Sequence, residues 1–177
     1  MKNNEELSAA QQAMDANFDL YLSISESLRA DVSYILNMRA DDEPVWRRTF
    51  IRTIVPLIDG LAYCYLRICF ADPELDPCDR GKLDPDGRQS ADDRVKIALK
   101  SIYCKLDISP LPDFSGIGWT NTKQLLEARH ALMHPKSPES LVFSDADWGN
   151  IYGGATWVLG EFFRLPTLLG KKFSDGV

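Results

Sequence analysis

Histidine is nearly missing from this chain of 177 residues: it occurs twice, at His130 and His134. It is the one side chain whose unperturbed pKa lets it exchange a proton near neutral pH, so imidazole acid–base chemistry has a single address here. Cysteine is sparse too, at Cys64, Cys69, Cys78 and Cys104, and no two are spaced Cys-x-x-Cys. A zinc ribbon therefore has no support; Cys64 and Cys69 lie in an apolar stretch and are expected to be buried thiols. A basic excess is also lacking: the formal net charge is −6. That argues against coating nucleic acid by bulk electrostatics and leaves room only for a local basic groove. The N-terminus, Met1-Lys2-Asn3-Asn4-Glu5-Glu6, carries no apolar core of a signal peptide. No uninterrupted apolar run reaches bilayer length, so no membrane contact is expected and a reduced cytoplasm is the expected compartment. Strand alternation between hairpin turns is missing as well.

What is present is helical patterning, in a chain 45% hydrophobic and sized for one domain. Phe18, Leu22, Leu28, Val32, Ile35 and Leu36 recur at three- and four-residue steps and predict a first helix from about Asn17 to Met38, after a frayed start over residues 1–14. Asp41-Asp42-Glu43-Pro44 opens a second, from about Pro44 to Ala71, which Pro56 is expected to kink or split. Arg47, Arg48 and Arg52 share one flank of its first half. Residues 72–90 read as an acidic, turn-rich surface loop without the spacing of an EF-hand. Ser90 and Asp93 cap a third helix from about Ala91 to Leu106, and the segment Asp107 to Gly118 reads as a loop. A shorter helix follows, capped by Thr120 or Asn121, and should end at His134 because Pro135 disfavours helical geometry there. Ser144 and Asp147 start the last helix, which should stop near Pro166 before a loose tail. The expected fold is all-α: a single domain over 1–177, core about 17–165, forming an up-and-down four-helix bundle with an additional short helix.

That short helix holds the chemistry. It reads Leu125-Leu126-Glu127-Ala128-Arg129-His130-Ala131-Leu132-Met133-His134-Pro135. Arginine grips a phosphate by bidentate charged hydrogen bonds, and with a nearby histidine it is the minimum kit for cleaving a phosphodiester without a metal. The plainer reading is a solvated pair capping the last carbonyls of a helix. On a continuous helix five residues turn through roughly 500°, leaving Arg129 and His134 about 140° apart, so a break near Pro135 is needed to bring them together. A metal site on Glu127, His130 and His134 is a weaker alternative, since there is no His-Glu-x-x-His. Trp148, Trp157, Phe162 and Phe163 are spaced as core aromatics rather than base-stacking platforms.

Arg129, His130 and His134 match Arg-polar-x-x-x-His, and with the helical architecture over about 17–165 the chain resembles the HEPN superfamily. The resemblance implies a helical bundle, and often a metal-independent endoribonuclease acting as a toxin or anti-phage component. It also implies a homodimer that gathers two motifs into one cleft, RNA or a nucleotide as ligand, and an antitoxin protein as a possible partner. Carried over by position, Arg129 and His134 would be catalytic and His130 the supporting polar residue, where Asn is commoner. Asp59 is a candidate supporting acid, and Arg48, Arg52 and Lys136 are candidate phosphate contacts. No metal or cofactor is expected. Non-catalytic members of the superfamily make a nucleotide- or protein-binding module the alternative.

Overall fold

The structure is a computed structural model and describes residues 4–37, 43–72 and 75–174. It contains α1 (Asn4–Asn37), α2 (Glu43–Phe70), α3 (Pro77–Leu83), α4 (Ala91–Lys105), α5 (Ile117–Met133) and α6 (Asp145–Ser174), with a 3-10 turn at Pro138–Leu141 between the last two. Among the described residues there is no strand, and the protein is all-α. The chain divides into two compact units, one built from the described residues up to Ser27 with those of Asp59–Leu111, the other from those of Leu28–Ile58 and from Pro112 onward.

In the first unit, α4 buries Val95, Ala98, Leu99, Ile102 and Tyr103, the stripe its periodicity predicts. Ser90 caps it: its Oγ accepts from the Asp93 backbone N–H at 3.3 Å and donates to the Asp93 carboxylate at 2.7 Å. The α4 C-terminus closes with Asp107 in the left-handed region (φ 51). Ile108 N–H then donates to the Tyr103 carbonyl at 2.9 Å, and Asp107 N–H to that of Cys104 at 3.2 Å. The rest of this core comes from the second half of α2, including Leu61, Cys64, Tyr65, Leu66 and Cys69, with Tyr21 of α1 stacked on Tyr65 at 5.3 Å. An ion pair between Lys105 and Asp72 ties the α4 end to the segment after α2.

The second unit rests on an antiparallel pair, α5 with α6. Gly118 faces Trp157 so closely that an added Cβ would lie 2.3 Å from its ring. At Gly154 a Cβ would lie 2.4 Å from the Asn121 backbone carbonyl. The Thr122 hydroxyl is bonded to the Gly154 carbonyl at 3.1 Å and to its own helix at the Gly118 carbonyl at 2.8 Å. Phe114, Trp119 and Trp157 interlock edge-to-face beside this crossing, with centroids 5.1 to 6.1 Å apart. A second aromatic group joins the first half of α2 to the start of α6: Trp46, Phe50, Trp148 and Tyr152.

Several boundaries differ from the sequence reading. α1 begins at Asn4 rather than about Asn17, and its inner line passes through Asn17, Tyr21 and Ser25, while Leu22 and Leu36 are exposed. The expected end at Met38 lies outside the described residues. Pro56 does not split α2. It sits on the exposed side, so the Arg52 carbonyl that loses its donor is within reach of water. α2 is long and apolar enough to cross a bilayer, yet most of its apolar stretch is buried inside the protein, as in a core helix. The acidic segment 72–90 is not all loop, since Asp76 caps α3 within it by accepting from Cys78 N–H at 2.7 Å. α5 is not short: it has 17 residues and starts at Ile117, three to four residues ahead of the expected Thr120 or Asn121 cap. Asp113 makes that early start possible by accepting from the N–H groups of Ser115 and Gly116. α6 passes through Pro166 and continues to Ser174.

Two measurements test this packing. Gly154→Ala places a methyl against backbone that cannot move aside, and is expected to cost at least about 2 kcal/mol. Gly160→Ala, in the same helix with open space around it, should stabilise by roughly 0.5–1 kcal/mol. Equal effects in urea melts would contradict the close crossing. Burial also pushes the Cys64 thiol up to about 11 and the Cys69 thiol up to about 12, and raises the Tyr65 phenol. The native state therefore keeps protons that the unfolded chain releases from about pH 9 upward. The stability these groups provide is complete below pH 9 and lost as pH rises from about 9 to 12, so the urea midpoint should fall steadily across that window. A flat midpoint to pH 11 would contradict the burial.

Candidate active site

The Arg-His segment forms the end of α5. Leu125, Ala128 and Leu132 point into the second unit and fix the rotation of the helix. Glu127, His130 and Met133 are thereby exposed, and Arg129, at the edge of the buried stripe, is half-buried. Met133 is the last helical residue, one short of the expected end. His134 caps the helix with φ −132 and ψ 61, and its N–H donates to the His130 carbonyl at 3.0 Å. The clash of the Pro135 ring with a helical predecessor supplies the reason for this exit.

The exit brings the imidazoles of His130 and His134 together, centroids 5.1 Å apart and planes tilted by 52°. Both rings are exposed. Among the described residues no ion pair or side-chain hydrogen bond engages Arg129, His130 or His134, and none joins Arg129 to His134. Within one chain His134 thus has its ring contact with His130, to which the sequence pattern assigned only a supporting role. The four-residue spacing contained that signal, read there as possible metal ligation. Among the described residues no three His, Cys, Asp or Glu side chains are grouped to hold a metal ion.

The flanking arginines of α2 take different parts. Arg47 is buried: its guanidinium donates to the Phe143 carbonyl at 2.9 Å, to Glu43 at 2.7 Å and to Asp145 at 2.5 Å. The hydrogen bonds to Asp145 and Glu43 hold its pKa above the ordinary arginine value. It is a clasp between α2 and the start of α6, where Ser144 and Asp147 form the expected capping pair. Arg48 is half-buried and donates to the Leu141 carbonyl at 3.4 Å, so it holds the 3-10 turn that follows the motif. Arg52 and Lys136 are exposed. Among the described residues no hydrogen bond links Arg48, Arg52 or Lys136 to the motif. Asp59 is half-buried in α2 and belongs to the first unit.

Chemically, two imidazoles side by side can divide one proton between an acid and a base, and a guanidinium on the same helix end can neutralise charge on a phosphate. No family model, no curated protein and no solved structure matches the chain.

Because both rings are exposed and make no side-chain hydrogen bond, His130→Ala and His134→Ala should each change unfolding free energy by no more than about 0.5 kcal/mol. A loss of about 2 kcal/mol or more in urea melts would identify them as structural.

Proposed function

We propose that the protein is a metal-independent endoribonuclease of the HEPN type, with Arg129 and His134 at the reacting phosphate. One observation carries this reading: the two histidines of the chain are held ring to ring, exposed, at a helix end that also bears Arg129. The ribose 2′-OH is the nucleophile. As its oxygen bonds to phosphorus, the 2′ proton passes to a neutral imidazole. The bond from phosphorus to the 5′-oxygen breaks, and the protonated His134 of a second copy of the chain gives that oxygen its proton, with His130 in a supporting role. Arg129 stabilises the charge building on the non-bridging oxygens. Arg52 and Lys136, both exposed, contact flanking phosphates.

In this reading the helices form the up-and-down bundle of that superfamily, and a second copy of the chain completes the cleft by bringing in its own motif. Met133 within the motif and Val142 after it are both exposed and suit such an apolar contact. A toxin or anti-phage role, with an antitoxin as partner, belongs to the same proposal. The alternative, a non-catalytic module that binds a nucleotide or protein, draws on one observation: no hydrogen bond joins Arg129 to His134 within one chain.

Cleavage of single-stranded RNA in EDTA separates the two readings. The protein should leave a 2′,3′-cyclic phosphate and a 5′-hydroxyl, and should spare DNA and RNA carrying 2′-O-methyl at the scissile ribose. Arg129→Ala and His134→Ala should each lose at least about a hundredfold in rate. His130→Asn should retain most activity, since Asn is the commoner residue there in the family it resembles. Equal cleavage by wild type and His134→Ala would mark the activity as contamination and leave the binding module.

A further inference from the structure

The first unit contains a cleft of about 280 Å³ between α1, the end of α2 and the turn after α3. Its chemistry is divided. Arg67 stands on the α2 side, its guanidinium 5.8 Å from the centre of the Tyr63 ring and 3.4 Å from the Tyr63 hydroxyl. Asp84 and Asp86 stand on the turn, with the Asp84 carboxylate accepting from the Asp86 N–H at 3.0 Å. All three line the same cleft, yet among the described residues none forms an ion pair, with each other or with any other side chain. Opposite charges that face one small space without meeting leave room for a ligand that carries both.

A second observation comes from the floor. Asn17 also lines the cleft and is only 6% exposed. Its Nδ2 donates to the Arg67 carbonyl at 3.2 Å, whereas its Oδ1 accepts no hydrogen bond among the described residues. That oxygen is not sealed from solvent and is open to a donor that enters the cleft. The remaining wall is formed by Ala13, Tyr63, Phe70, Ala71 and Pro85.

The geometry points to a binding site for a free amino acid with an apolar side chain. Its carboxylate would lie on Arg67 and its ammonium between Asp84, Asp86 and the Asn17 oxygen, with the side chain against Tyr63 and Phe70. Two carboxylates in so small a space repel phosphate, so a nucleotide is disfavoured. The inference is independent of the ribonuclease reading, since none of these residues belongs to the α5 motif.

L-leucine, L-methionine and L-phenylalanine, each at 10 mM, are the probes, with the full chain followed by thermal unfolding and then calorimetric titration. At least one should raise the midpoint by about 2 °C or more, and its N-acetyl and carboxamide derivatives should not. Arg67→Gln and the double variant Asp84→Asn/Asp86→Asn should each weaken binding at least about tenfold, as loss of a charged hydrogen bond requires. The asparagine at 84 keeps an acceptor for the Asp86 N–H, so the turn is retained. No shift with any of the three amino acids would overturn the proposal. So would binding that survives both variants, or a midpoint raised by adenosine 5′-monophosphate but not by the amino acids.

Discussion

The second unit depends on backbone meeting backbone where α5 crosses α6. Side chains normally hold paired helices 8–10 Å apart; here Gly154 admits the Asn121–Thr122 peptide directly, and Gly118 admits the Trp157 ring. The Thr122 hydroxyl then bridges the helices at the Gly154 carbonyl. A close crossing fixes rotation as well as distance, because a glycine face cannot be exchanged for a neighbouring one without a clash. The rotation of α5 in turn decides that Ala128 and Leu132 go in, that His130 comes out, and that Arg129 falls at the boundary. The position of the candidate site is thus a consequence of packing one to three turns away from it.

Charge is used sparingly in the same unit. Arg47 and Arg129 are both arginines near a helix end, yet their surroundings set them apart. Arg47 has three acceptors around its guanidinium and is committed to holding α6 onto α2. Burying a guanidinium is tolerable only when acceptors surround it, and here they hold Arg47 inside the protein, away from any phosphate in solvent. Arg129 has no such acceptors, which is what a phosphate-binding arginine requires.

Much of the fold could be read from period and caps. The stripe Val95–Tyr103, the Ser90–Asp93 and Ser144–Asp147 caps and the exit at His134 all arise from local chemistry, which a sequence displays directly. The errors arose where distant contacts overruled local pattern. α1 turns Asn17, Tyr21 and Ser25 inward and leaves Leu22 outside, because Tyr65 and the Arg67 carbonyl offer specific partners that hydrophobicity does not encode. α5 starts at Ile117 because Asp113 organises the turn before it, although Gly116 and Gly118 read as loop residues. Gly118 is there for the Trp157 ring, not for flexibility. At the candidate site, the ring contact of His130 with His134 was not legible as a pairing, because it depends on the dihedral angles of a single capping residue.

The clasp and the crossing differ in how far along the chain they reach. Thr122 and Gly154 are 32 residues apart, whereas Arg47 and Asp145 are 98 apart. Contacts between near neighbours in sequence close smaller loops and form sooner. The α5–α6 hairpin is therefore suited to assemble first and present the start of α6 to α2, with the Arg47 clasp closing afterwards. Damage at Gly154 would then be felt mainly as slower folding, and damage at Arg47 mainly as faster unfolding. Two lesions of similar cost at equilibrium would leave the protein with different lifetimes.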